Sequence, residues 1–409
     1  TTKTYFGVIA LHVECEMRLV ELQAMNLEPG MFVAEIDRPW LETPFSLQGF
    51  VVRDYDDIEF ISQYVERVFV DAEYKGAKTF LRLATEPTAA NDTETLRIKA
   101  DFHQTKVSFD TATDTLDKVF DSLRENRPTD INTVKEAVNP LIEGVFRNQE
   151  AVAALLRLQE SGEYLYSHGI SMAIWAVIFG RHIGLHRDEL EKLAVGCAMC
   201  DVGMTELPTE LLHGPQKLSE KQRRIINAHP LVGAEMVAES GDIDFEILAI
   251  IENHHERMDG SGYPRGMEGA SIPLLARIAG LADTYDAMIT NRPYAPARTS
   301  HEAAQELLDC KGTLFQESMV EQFIQAIGLF PTGTLVELNT GEVAIVVHQN
   351  DTRRLKPEVV VVLDENKDPK DVLDIIDLAN QDCSIESERW IGRELLPGSF
   401  GVNSEDYFI

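Results

Sequence analysis

The chain has 409 residues, 44% hydrophobic and 26% charged, which is enough for two or three domains with at least one sizeable core. Its 68 acidic residues outnumber 37 basic ones, and the resulting net charge of -31 argues against a nucleic-acid polymer as partner, since no stripe of cations is left to neutralise phosphates. The five cysteines are scattered and odd in number, unlike a disulfide framework, and no apolar run reaches the roughly 18 residues of a membrane span.

Residues 1–95 read as a small α/β domain of regulatory type. Tyr5-Phe6-Gly7-Val8-Ile9-Ala10 and Gly49-Phe50-Val51-Val52 suggest strands, with turn signals at Pro29-Gly30 and Arg38-Pro39-Trp40. Ile58, Ile61, Tyr64, Val65 and Val68 give residues 56–68 a helical stripe. The opening Thr1-Thr2-Lys3-Thr4-Tyr5-Phe6 lacks the apolar core and cleavage site of a secretory signal, so a cytoplasmic protein without membrane attachment is expected. Residues 96–130 are polar and read as a charged linker with a helix near Thr113–Arg124.

Residues 131–330 are helical in pattern, beginning with Val134, Val138, Leu141, Ile142 and Val145 on one face. Asp188, Ser219 and Thr299 each precede a helical run and are followed three residues on by Glu191, Gln222 and Glu302, as capping boxes would be. Residues 331–409 change to a period of two: Thr334–Leu338 and Val343–Val347 read as a hairpin, Glu358–Leu363 as a strand, and the remainder beyond about 380 as a tail. The expected fold is therefore mainly α, a helical bundle with a small α/β domain before it and a small β unit after it.

The helical region carries His168, Asp201, His229, the pair His254-His255, and Asp283. Neutral imidazoles and carboxylates together are what a hydrolytic divalent-metal site requires, because they hold an ion while leaving positions for water and phosphate. In His254-His255-Glu256-Arg257-Met258-Asp259-Gly260-Ser261-Gly262-Tyr263-Pro264, a backbone break soon after the histidines lets both turn to one site and presents Tyr263 beside them. Cys197 and Cys200 form a CxxC with no second pair to complete a zinc ribbon, and read as reduced thiols on a buried helix. His182 and His186 read as part of an exposed helix face, and Arg353-Arg354-Leu355-Lys356 as a solvated loop.

That string, with Ala282-Asp283-Thr284-Tyr285-Asp286-Ala287-Met288 and Arg292-Pro293-Tyr294, closely resembles the HD-GYP domain, an HD-type helical bundle of the HD phosphohydrolases that linearises the messenger cyclic di-GMP. Residues 1–95 resemble a domain of unknown function that precedes some of these modules. The resemblance implies a phosphodiesterase yielding linear pGpG, with GMP as a further product, and two divalent metals, iron or manganese, or zinc. It implies metal ligands at His168, Cys200 (in the place of the dyad histidine), Asp201, His229, His254, His255 and Asp283, with Asp201 between the metals. It places Gly262, Tyr263 and Arg292 on the substrate, with Asp201, Tyr263 and Arg292 as the catalytic set.

Three positions depart from the family pattern. Cys200 replaces the histidine of the His-Asp dyad, Met204 replaces a lysine, and Ala295 replaces a basic residue; Tyr164, where some members have glutamate, limits the metals to two. A thiolate at Cys200 is still a metal ligand and favours zinc; a protonated thiol is not one. Two readings follow: an enzyme of reduced activity or altered metal choice, and a catalytically inactive module that binds metal, nucleotide or a diguanylate cyclase or other signalling partner through its GYP loop. Helices over residues 113–160 suit either a homodimer or packing within one chain.

Overall fold

The computed structural model describes residues 19–28, 31–37, 50–52, 58, 61–62, 64–65, 67–71, 90–125, 127, 130–158, 164–208, 211, 219–292, 296–350, 355–379, 381 and 389–407. The chain forms two compact units, residues 1–88 and 89–409.

In the first unit, β1 (Leu19–Gln23), β2 (Phe32–Ile36), β3 (Phe50–Val51) and β4 (Arg67–Asp71) form an antiparallel sheet in the order β1-β4-β2-β3. Val33, Val52, Ile58, Ile61, Val65, Val68 and Val70 share its core. The expected strand at Gly49–Val52 appears as β3, while Tyr5–Ala10 lies outside the described residues. The stripe read as one helix over 56–68 ends early. Val68 and Val70 are buried on alternate positions of β4, so the period has already changed to two there.

The second unit opens with α1 (Ala90–Arg124), a single helix of 35 residues where a linker with a shorter helix was expected. Its apolar stripe is narrow: Phe102, Phe109, Leu116 and Phe120 are each 1% exposed amid polar neighbours, which is why composition alone hides it. The helix packs within the chain against α2 (Asn132–Arg147) and α3 (Gln149–Leu158), and Asp101, three turns in, ties it to them by accepting from Arg147 Nε at 2.8 Å and Asn148 Nδ2 at 3.2 Å. α4 (Tyr164–His182) is the axis of the bundle. Trp175, Ala176, Ile178 and Phe179 are wholly buried, so it lacks the polar face of a surface helix.

Around α4 stand α5 (Arg187–Met199), α6 (Glu220–Ile226), α7 (His229–Glu239), α8 (Phe245–Asn253), α9 (Leu274–Ile289), α10 (Ser300–Asp309) and α11 (Glu317–Ile327). Capping boxes form at Ser219 with Gln222 and at Thr299 with Glu302, as the sequence predicts. At the third, α5 starts before Asp188: the His186 N–H donates to Glu189 Oε2 at 2.8 Å, leaving Asp188 inside the first turn.

The C-terminal strands β5 (Leu335–Leu338), β6 (Val343–His348), β7 (Glu358–Leu363), β8 (Pro369–Asp377) and β9 (Ile391–Leu395) form an antiparallel sheet in the order β8-β7-β6-β5-β9. The hairpin and the strand over 358–363 stand where expected. The presumed tail is corrected: it contributes β9, which pairs with β5 from Leu335↔Leu395 to Leu338↔Ile391. Its Ile-Gly-Arg-Glu-Leu is too polar to register as a strand by alternation. Arg353 and Arg354 lie outside the described residues. Among the described residues, no helix is long and apolar enough to cross a membrane.

Candidate metal centre

The candidate residues converge because three helix ends, at Asp201, His229 and His254, meet beside α4 and α9. His168 lies in the first turns of α4, and Asp283 in the middle of α9. Asp201 occupies the break between α5 and a 3₁₀ turn, Val202–Glu206, while His229 opens α7 and His254 closes α8. Two close backbone approaches allow this meeting. A Cβ at Gly203 would run into the His229 carbonyl, and one at Gly280 into the His254 carbonyl. Glu256 then fastens the following loop, accepting from the backbone N–H of Arg265 at 2.7 Å and Met267 at 2.8 Å.

One ligand atom from each of Asp201, His229, His254 and His255 lies within 4.8 Å of the others. Asp201 Oδ1 is 3.2 Å from His229 Nε2, and its Oδ2 is 3.9 Å from His168 Nε2. Asp283 likewise divides its oxygens, with Oδ1 3.1 Å from His168 Nε2 and Oδ2 3.5 Å from His255 Nδ1. The two carboxylates thus stand between His168 on one side and three histidines on the other.

Proton positions decide whether a cation fits. His229 Nδ1 faces the Ile226 carbonyl at 2.8 Å and His254 Nδ1 the Ile251 carbonyl at 2.9 Å. A carbonyl only accepts, so these partners assign the proton of each neutral ring to Nδ1 and the lone pair to Nε2. The two Nε2 atoms then face each other at 3.4 Å, with Asp201 alongside. Electron-rich atoms gathered this closely, with His229 and His254 each only 1% exposed, suit a divalent cation between them.

The electrostatics agree at His254 and His255 but not at His229. There burial lowers the pKa, and the hydrogen bond and charge of Asp201 outweigh it and raise it. Burial and the neighbouring His229 push His254 down to about 4, and burial with His254 and His229 lowers His255 well below its ordinary value, so both are unprotonated near neutrality. Burial would raise the Asp201 carboxyl, but its contacts with His229 and the charges of His168 and His254 hold it below the usual carboxylate range. Burial opposes charging His168 too, yet hydrogen bonds to Asp283 and Asp286 outweigh it and lift its pKa well above the ordinary value.

Residues 150–318 match the HD domain family, residues 19–134 a domain of unknown function (DUF3391), and residues 335–385 the KOW domain associated with HD domain. The helical region thus carries an HD domain. Its sequence is 26% identical over 352 residues to a cyclic di-GMP phosphodiesterase of Pseudomonas aeruginosa, covering 84% of this chain and 85% of that one. It is 34% identical over 151 residues to a cyclic di-GMP phosphodiesterase response regulator of Xanthomonas campestris, covering 37% of this chain and 40% of that one. It is 30% identical over 182 residues to a 3'3'-cGAMP-specific phosphodiesterase of Vibrio cholerae, covering 44% of this chain and 34% of that one.

Within the HD domain, Cys200 lies outside the four-residue group, 2% exposed at the end of α5. Burial, reinforced by Cys197, Asp201 and Asp283, pushes its thiol pKa well up. Met204 is half-buried in the 3₁₀ turn and its N–H donates to the Asp201 carbonyl at 2.8 Å. The Tyr263 ring lies 4.6 Å from that of His255, and its N–H donates to the His255 carbonyl at 3.2 Å, which folds Gly262-Tyr263 back over the histidines. Arg292 stands just past the end of α9, half-buried, while Tyr294 and Ala295 lie outside the described residues.

Two residues of the site carry no role in the sequence reading. Asp286 accepts from His168 Nδ1 at 2.7 Å through Oδ2 and from Trp175 Nε1 at 3.2 Å through Oδ1. This fixes the His168 ring so that Nε2 faces Asp283 and Asp201. The signal was present in the spacing: Asp286 is one helical turn beyond Asp283, and Trp175 two turns beyond His168.

Proposed function

We propose that this HD-domain protein is a two-metal phosphodiesterase that opens cyclic di-GMP to linear pGpG, with GMP as the product of a second cut. The observation that carries this reading is the division of oxygens at Asp201 and Asp283, which supports two adjoining metal positions. His168, Asp201 and Asp283 would hold one divalent ion; Asp201, His229, His254 and His255 would hold the other. When bound, such a pair supplies a nucleophile by lowering the pKa of water and offsets charge developing on phosphoryl oxygens. Iron or manganese suits this set of nitrogens and oxygens, with Cys200 remaining a neutral thiol.

The chain's own residues supply orientation. Asp286 fixes His168, and the carbonyls of Ile226 and Ile251 fix His229 and His254, each with the lone pair turned inward. Tyr263 brings its hydroxyl to the His255 edge of the site, where it orients a phosphate oxygen, and Arg292 supplies a positive charge to the second phosphate. Identity to cyclic di-GMP phosphodiesterases supports this substrate, and the wide coverage of the Pseudomonas relative supports the whole arrangement. Met204 and Cys200 favour a second reading, a module that holds metal and nucleotide without turnover and docks a diguanylate cyclase.

Chromatography of products from protein loaded anaerobically with Fe(II) or Mn(II) tests the reading. Linear pGpG is expected from cyclic di-GMP in preference to 3'3'-cGAMP, and its loss is expected in Asp201→Asn. Nucleotide binding without product in either loaded form would overturn the enzyme and leave the module.

A further inference from the structure

A buried carboxylate ties the C-terminal sheet into the helical bundle. Glu394 lies on β9, beyond the segments matched by any of the three families. Its side chain is 1% exposed and that of Arg157, near the end of α3, 4%. Arg157 Nη2 donates to Glu394 Oε1 at 2.8 Å, and the same carboxylate accepts the backbone N–H of Ser300 and of His301, each at 2.9 Å, at the start of α10. An ion pair this dry adds little net stability, because desolvation offsets the attraction. What it fixes is geometry, since one carboxylate holds donors from two helices.

Tyr285 carries that geometry to the metal site. It sits on α9 between Asp283 and Asp286, wholly buried, where α9 packs against α10, and its hydroxyl makes no hydrogen bond among the described residues. Burial pushes its phenol up to about 12, so it remains neutral. Its ring meets Trp175 edge-on, with centroids 5.2 Å apart and planes at 90°. Trp175 in turn donates to Asp286, which holds His168 Nδ1. We propose that Glu394 is a positioning residue for the His168 half of the metal site, acting through Tyr285 and Trp175 on Asp286. The proposal rests on the two-metal reading above and adds to it a role for a strand outside the HD domain.

Mn(II) titration of the full chain tests it, with Glu394→Gln as the first variant. Because an unpaired buried arginine can prevent folding, Arg157→Met/Glu394→Leu is the second, which leaves no buried charge. His168→Ala marks which step of the isotherm belongs to that half. Both variants are expected to weaken that step about tenfold while leaving the other unchanged, as loss of an orienting partner does. Wild-type affinity in both steps, even with a lowered Tm, would overturn the positioning role. A wild type with only one step would overturn the two-metal reading itself.

Discussion

At the residue scale, the site is a contest between protons and metal. In the metal-free protein, the proton that His168 binds between Asp283 and Asp286 favours the folded state, since its folded pKa lies above the ordinary value of about 6.5. That contribution is complete below about pH 6.5 and is lost as pH rises through the folded pKa. Metal needs the same ring unprotonated. The rise in Tm caused by saturating Mn(II) should therefore grow between about pH 6 and about pH 8 in melts with and without chelator; a constant or shrinking increment would contradict this. Met204 gives a second expectation. Its N–H is bonded to the Asp201 carbonyl, so Met204→Lys places a cation within one turn of the Asp201 carboxylate. A charged contact to phosphate is worth about 1.5–3 kcal/mol, so kcat/KM should rise about tenfold or more, and an unchanged value would remove Met204 as a limit on activity. The six candidate ligands were legible because histidine and aspartate at these spacings have few bland explanations in combination. Asp286 and Trp175 were not, because an orienting partner leaves no motif of its own and shows only as a contact between α4 and α9.

At the element scale, the site is built from terminations. Asp201 follows the end of α5, His229 starts α7 and His254 ends α8, and the chain can bring these ends together only where side chains are missing. Gly203→Ala should force the 3₁₀ turn away from the His229 carbonyl. Overpacking of this kind costs about 1–3 kcal/mol, to be read from urea denaturation, and Mn(II) affinity should fall with it. Stability and affinity both at wild-type levels would show that the approach is not required. Helix starts at Ser219 and Thr299 were readable because a capping box is local chemistry. The length of α1 was not, since its apolar stripe is sparse and is completed by α2 and α3. Nor was β9, whose place in the sheet depends on pairing with β5 rather than on its own pattern.

At the scale of the whole molecule, the helical and β regions followed from the change of period near residue 331. The dependence between those regions could not be read from either alone. Glu394 and Arg157 are 237 residues apart in sequence, and only the fold brings them together. The central claim is that Asp201 and Asp283 are shared between two metal positions in one HD domain. Elemental analysis after anaerobic loading with Fe(II) and removal of free metal tests it most directly. Two ions per chain are expected in the wild type and one in His168→Ala; one ion or none in the wild type would contradict the account.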